Sequence, residues 1–218
     1  MKSALILGAS GFVGNYLLRE LLNSKRYDRV TALVRISSLE PSPHLEEIVF
    51  DFKDPLSIES LKPVNHIFCC LGSTIRKAGS KNKFRFVDFE LPLMFAKWGE
   101  KTKVEYFSIV TAMGANPSSI IFYNKVKGEI EKEIKKLDIP TIHIFQPSLI
   151  LGSRKELRIG EIAGKMLMKT LNFLMVGSLK KYRGIHAKTI AKGMNYYIGK
   201  SNETDLMVIE SNEIQKTE

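Results

Sequence analysis

Tyr123 and Lys127 stand four residues apart within Tyr123-Asn124-Lys125-Val126-Lys127, a spacing that puts two side chains on one face of a helix. A free phenol, with a pKa of about 10, exchanges protons slowly near neutrality. An adjacent ammonium favours the phenolate and draws the phenol toward the working range of a general acid or base. Upstream, Thr111 follows the apolar run Glu105–Val110 and offers a hydroxyl able to hold a carbonyl oxygen beside the phenol. The pattern Tyr-x-x-x-Lys is common by accident, and alone it describes an amphipathic helix with a surface lysine. It gains weight only downstream of a second motif.

That motif lies near the N-terminus, where Ser3–Leu7 runs into Gly8-Ala9-Ser10-Gly11-Phe12-Val13-Gly14 and then into a helix patterned by Leu17, Leu18, Leu21 and Leu22. Strand, glycine turn and helix in this order form a dinucleotide fingerprint: Gly8 for the tight turn, Gly11 for close approach of a pyrophosphate, Gly14 for packing helix on strand. The phosphates would meet the positive end of the helix along Gly8, Ser10, Gly11, Phe12, Val13 and Gly14. Lys127 would then reach the cofactor ribose as well as the phenol. An NAD site closes its second strand with an acid that bonds the ribose hydroxyls, but here the strand ends Thr31-Ala32-Leu33-Val34-Arg35. Arg35 would pair with a 2′-phosphate, with Ser37 and Ser38 adding donors, so NADP(H) is expected over NAD(H); the alternative is a solvated strand-end charge. Asp51-Phe52 and Leu71-Gly72 close the third and fourth apolar runs, where open α/β sheets bind ligands. Asp51 has two readings, a contact to the adenine amino group or a cap on the turn before Asp54-Pro55.

The elements that must position these residues alternate. Strands are expected near Ser3–Leu7, Arg29–Val34, Glu46–Phe50, His66–Leu71, Glu105–Val110 and Thr141–Phe145, and helices near Phe12–Asn23, Leu56–Leu61, Phe84–Lys101, Pro117–Leu137, Gly160–Val176 and Ala187–Gly199. Asn116 as cap with Pro117 in the first helical position marks one helix start. Strands that are apolar throughout, alternating with helices, imply an α/β fold, a doubly wound parallel sheet covered on both faces. Residues 1–150 would be the dinucleotide-binding core of a single domain spanning 1–218, residues 151–218 a small substrate-side part, and Glu210–Glu218 a frayed polar tail. Ile159–Gly177 is rich in Met and Leu but interrupted by Lys165 and Lys169, so a helix over a pocket or in the core is expected rather than a membrane span.

Composition bounds the alternatives. The 218 residues are 44% hydrophobic, enough for a packed core and inconsistent with disorder. A net charge of +10 admits nucleic acid or an anionic surface as partner, yet neither a basic groove helix nor an aromatic stacking set is present. The charges between Lys125 and Lys136 alternate with Glu129, Glu131 and Glu133, as on an exposed helix face. Arg76, Lys77, Lys81 and Lys83 form a basic loop, either solvated or turned to an anionic ligand. Cys69 and Cys70 are the only cysteines; neighbours in a strand point to opposite faces, so no disulfide framework or zinc site is expected. His44, His66, His143 and His186 lack metal-ligand spacing; His186 is a candidate pocket residue. The five-residue apolar run at the N-terminus is too short for a signal peptide, and a reducing cytoplasm is the expected setting.

Taken with Gly8-x-x-Gly11-x-x-Gly14 and Tyr123-x-x-x-Lys127, three further stretches are informative: Leu71-Gly72-Ser73-Thr74-Ile75-Arg76-Lys77-Ala78-Gly79, Phe122–Glu129, and Gln146-Pro147-Ser148-Leu149-Ile150-Leu151-Gly152 with Arg154 and Glu156. Through them the chain resembles the short-chain dehydrogenase/reductase superfamily, and within it the atypical branch of Tat-interacting-protein-like oxidoreductases and their bacterial homologues, over nearly its whole length. The resemblance implies a Rossmann-type fold, NADPH binding, a Tyr-Lys pair aided by a hydroxyl residue, passage of the chain beside the nicotinamide after Pro147, and return of Arg183–Ala187 to the substrate pocket. Related proteins usually carry Ser-Ser where this chain has Thr111-Ala112. If the second serine is the functional one, the carbonyl partner is missing here.

The leading expectation is an NADP(H)-dependent oxidoreductase acting on a small carbonyl compound. An epimerase or dehydratase using the cofactor transiently and an NADPH-binding sensor with little turnover stand as alternatives. The substrate and oligomeric state stay open, a homodimer included, and no nucleic-acid partner is expected.

Overall fold

Seven parallel strands frame the computed structural model, which describes residues 2–151, 182–198, 200 and 205–217. They are β1 (Ser3–Leu7), β2 (Arg29–Val34), β3 (Leu45–Val49), β4 (His66–Cys69), β5 (Tyr106–Val110), β6 (Thr141–Gln146) and β9 (Asp205–Glu210); β7 (Ile150–Leu151) and β8 (Ile185–His186) pair separately. The order is β3-β2-β1-β4-β5-β6-β9, all neighbours parallel, with Leu7 opposite Leu33 on one side and Cys69 on the other. The order turns between β1 and β4, where a doubly wound sheet opens a crevice at its carboxyl edge.

Alternate residues of β1 feed two cores, as strand geometry requires. Ala4 and Ile6 pack with Leu17 and Leu21 of α1 (Phe12–Asn23) and with Ile190 and Met194 of α6 (Ala187–Tyr197). Leu5 and Leu7 pack on the opposite face with Phe95 and Trp98 of α4 (Leu91–Lys101) and Ile130 and Ile134 of α5 (Phe122–Ile134). Burial on both faces explains why β4 and β5 are apolar almost throughout.

Three elements differ from expectation. The helix foreseen at Phe84–Lys101 begins as α3 (Lys81–Arg85), capped by the Ser80 hydroxyl, which follows the short α2 (Ile75–Ala78), and it passes through a π-helical turn, Phe86–Glu90, before α4. That wider turn directs Asp88 into the protein, where it is 1% exposed. The Asn116-Pro117 signal closes a turn instead of opening a helix. The Asn116 side chain accepts from the Ser118 N–H at 2.8 Å, a bond that competes with helix, and α5 starts at Phe122. The foreseen polar tail is structured: β9 extends the sheet, and α7 (Ser211–Gln215) follows with a reciprocal Glu210–Glu213 capping box and a fully buried Ile214. A division near residue 150 therefore does not follow the sheet, since β9 and α6 share a core with β1. Among described residues no helix is long and apolar enough to cross a membrane. The helix expected at Gly160–Val176, with Lys165 and Lys169, and the positions Gly152, Arg154 and Glu156 lie outside the described residues.

Candidate functional site

β1 gives way to Gly8, which takes φ +79°, a left-handed conformation that favours glycine. A Cβ on Gly14 would stand 2.1 Å from the Gly8 carbonyl oxygen, so turn and helix are packed too closely for any side chain there. α1 begins from Gly11 with no side-chain cap and no acid in its first turn. Gly11 has no side chain to cap this start, and Ser10 and Gly11 are exposed beside it. Such an end takes an anion readily. Phe12 is half-buried, while Val13 and Gly14 are buried and can contribute backbone only.

Across the carboxyl edge, α5 brings Tyr123 and Lys127 together as their spacing foretold. Tyr123 is half-buried, its ring 5.6 Å from that of Phe84. Lys127 is 3% exposed, and its Nζ lies 2.8 Å from Asp88 Oδ1; Asp88 Oδ2 accepts from the Ser73 N–H at 2.9 Å. Burial pulls the Lys127 pKa down, but the Asp88 carboxylate, with a smaller contribution from Tyr123, outweighs it and the net shift is upward. The exposed Gly72 runs beside this pair. A Cβ there would be 3.6 Å from Asp88 Oδ1 and 3.9 Å from Lys127 Nζ, so the missing side chain leaves room next to the ammonium.

Thr111 is turned the other way. Its buried hydroxyl donates to Glu131 Oε1 at 2.6 Å, and Gln146 Nε2 donates to both Glu131 oxygens at 2.9 Å. Desolvation pushes the Glu131 carboxyl upward in pKa, partly offset by the Thr111 and Gln146 bonds. The Thr111 hydroxyl is thus committed to α5 inside the protein, which corrects the expectation of a group facing a substrate carbonyl. Ala112, which follows, is half-buried and has no hydroxyl. Glu131, expected on a solvated helix face, is 4% exposed. Sequence reasoning missed Asp88 and Glu131 as site residues; the i, i+4 spacing of Lys127 and Glu131 was the one available signal.

The adenosine side is more mixed. Arg35 is exposed just beyond β2. The Ser37 hydroxyl donates to Glu47 Oε2 at 2.7 Å, and the Ser38 and Leu39 N–H groups donate to Oε1 at 2.9 and 3.1 Å. Those donors hold the Glu47 carboxyl below its usual range, and Ser37 and Ser38 are occupied rather than offered outward. Asp51 Oδ1 accepts from the Lys53 N–H at 2.9 Å, while Asp54 accepts from Leu56 N–H at the start of the short 3-10 helix Pro55–Ser60. Phe52 is half-buried, its ring 5.0 Å from that of Phe50. Leu71 is half-buried, and the buried Pro147 accepts through its carbonyl from the Met113 N–H at 2.9 Å. Gly8, Asp51, Leu71, Thr111 and Pro147 all lie just past strand ends along one edge.

His186 is exposed and lines a cleft of about 320 Å³ with Phe12, Tyr16, Leu151, Lys188 and Lys192. His66 and His143 are interior, hydrogen-bonded to the Tyr27 and Tyr106 hydroxyls. Among described residues no cluster of three or more His, Cys, Asp or Glu side chains could hold a metal. Arg76 and Lys77, expected on a loop, lie in α2, and Lys81 and Lys83 in α3; all four are exposed.

The sequence pattern of the NAD dependent epimerase/dehydratase family matches residues 4–112. Protein HTATIP2 of Rattus norvegicus is 34% identical over 167 residues, 73% of this chain and 67% of that protein. Protein FMP52-1, mitochondrial, of Scheffersomyces stipitis is 32% identical over 185 residues, 84% and 77% of the two chains. Two solved structures share the fold at low identity. WbmH of Bordetella bronchiseptica with NAD+ has a TM-score of 0.70 at 13% identity, covering 94% of this chain and 74% of that one. The UDP-glucuronic acid 4-epimerase of Bacillus cereus with UDP-glucuronic acid and NAD has 0.70 at 15%, covering 95% and 76%. The fungal relatives named as mitochondrial overturn the cytoplasmic expectation. The fold is of the Rossmann type, its glycine turn is shaped for a dinucleotide, and the chain belongs to the NAD dependent epimerase/dehydratase family.

Proposed function

We propose that the protein is an NADP(H)-dependent oxidoreductase acting on a small carbonyl compound. The observation that carries this reading is the meeting of Tyr123 and Lys127 with the uncapped glycine turn at one carboxyl edge of the sheet. The first-turn N–H groups of α1 hold the pyrophosphate, Arg35 meets a 2′-phosphate, and Lys127, reached past Gly72, holds ribose hydroxyls. The cofactor supplies the hydride. Tyr123 gives its phenolic proton to the carbonyl oxygen in reduction and takes it back in oxidation, with the Lys127 ammonium one helical turn away on the same face.

Tyr123→Phe should bind NADPH within about threefold of the wild type and lose turnover by about 10²–10⁴-fold. Unchanged turnover removes the tyrosine from the mechanism. NADPH should bind more tightly than NADH, and a preference for NADH removes Arg35 from its assigned role. One observation favours a second reading, a cofactor-binding sensor: the Thr111 hydroxyl is engaged with Glu131, and Ala112 offers none. NADPH binding without turnover across a panel of small carbonyl compounds would favour it.

A further inference from the structure

Lys127 and Asp88 are 3% and 1% exposed and meet at 2.8 Å. Burial strongly disfavours an ammonium unless a counter-charge and hydrogen bonds accompany it. Asp88 comes from the π-helical turn Phe86–Glu90 and binds with both oxygens, one to Lys127 and one to the Ser73 N–H at 2.9 Å. It therefore ties three elements together: the α3–α4 helix, the loop leaving β4, and α5.

The other groups facing Lys127 do not replace it. Tyr123 approaches from the same helix. Cys69 on β4 is a thiol whose pKa burial pushes up to about 12, so it brings no charge near neutrality. Glu131, one helical turn on, directs its carboxyl to Thr111 and Gln146. Among described residues, Asp88 is the one carboxylate within 4.0 Å of Lys127 Nζ.

We propose that Asp88 is a positioning residue, which from the π-helical turn keeps Lys127 charged and fixed between Tyr123 and the Gly72 backbone. Its service to a ribose and a phenol rests on the oxidoreductase reading above; its hold on the lysine does not. The π turn then has a reason: with regular α-helical spacing Asp88 would leave the direction in which Lys127 lies. Without Asp88, burial is the dominant influence on Lys127. The proton is lost at lower pH, and cofactor affinity falls as pH rises.

The test is a side-chain NMR titration of Lys127 Cε, assigned with Lys127→Met, in wild type and Asp88→Asn, beside NADPH calorimetry at pH 7 and pH 9. Wild-type Lys127 should not titrate below the exposed lysines, whereas in Asp88→Asn it should titrate well below them. NADPH affinity should fall about tenfold between the two pH values in the variant and less than about threefold in the wild type. An unchanged Lys127 titration in Asp88→Asn overturns the proposal. So does wild-type Lys127 that titrates below the exposed lysines, a measurement that decides the matter even if the variant does not fold. A shifted lysine with pH-independent NADPH affinity in the variant overturns the link to the cofactor. Failure of the wild type to bind NADPH or NADH sinks the oxidoreductase reading, while the lysine titration still decides the role of Asp88.

Discussion

Thr111 and Ala112 separate two properties that a substrate-facing hydroxyl must combine. Thr111 has the hydroxyl but is 4% exposed and bonded to Glu131; Ala112 is more open and has none. If a carbonyl oxygen lies beside Tyr123, Ala112→Ser adds a donor at the accessible position. It should raise turnover of a small carbonyl substrate about tenfold, well within what one added hydrogen-bond donor can contribute. NADPH affinity measured alongside should stay constant, and turnover unchanged or lowered by Ala112→Ser would show that this position does not address the substrate. Residue types alone placed a hydroxyl at Thr111, but which way that side chain faces depends on the carboxylate of Glu131 opposite it.

At the level of elements, α5 positions the site because it is pressed against the turn before it. A Cβ on Gly128 would lie 2.2 Å from the Asn116 carbonyl carbon and 2.3 Å from the Pro117 nitrogen, both backbone atoms that cannot swing aside. Gly128→Ala should therefore cost about 1–3 kcal/mol in urea unfolding and move Tyr123, lowering turnover together with stability. Full stability would show that the turn yields freely. The spacing of Tyr123 and Lys127 was legible because it depends only on the helical repeat. The helix start was not, because Asn116 has the same local chemistry for capping a helix as for closing a turn. Nor was the π turn, since one inserted residue in the hydrogen-bond ladder is chosen by packing and leaves no composition signal. Asp88 went unseen for that reason.

Across the whole molecule, the last third of the chain completes the first. β9 pairs along β6 from Thr141–Asp205 to Gln146–Glu210, and Ile209 and Ile214 join the cluster that covers Ala4 and Ile6. Ile209→Ala should lower stability by about 2–4 kcal/mol. Because one sheet joins both faces, fluorescence of Trp98, buried on the α4 side, and far-UV ellipticity should lose signal in one coincident transition. A transition in ellipticity that leaves Trp98 unmoved would show that the C-terminal part unfolds by itself. The net charge of +10 is likewise a property of the whole chain. The buried Lys127–Asp88 pair and the surface bridges Lys2–Glu105, Lys101–Glu59 and Lys136–Glu133 each join one charge of either sign and so leave that excess unchanged.

The amino-acid sequence by itself determined the parallel α/β frame, the glycine turn and the shared face of Tyr123 and Lys127, since each follows from local periodicity or from what glycine alone permits. Tertiary structure decided what lies opposite those groups. Asp88 meets Lys127 from 39 residues upstream, Glu131 captures Thr111, Glu47 takes the donors of Ser37 and Ser38, and β9 closes the sheet. Burial fixes the Asp88 and Glu131 pairings, because a charge or hydroxyl removed from water must find a partner in the fold, whereas Glu47 meets its exposed donors because β2 and β3 lie side by side.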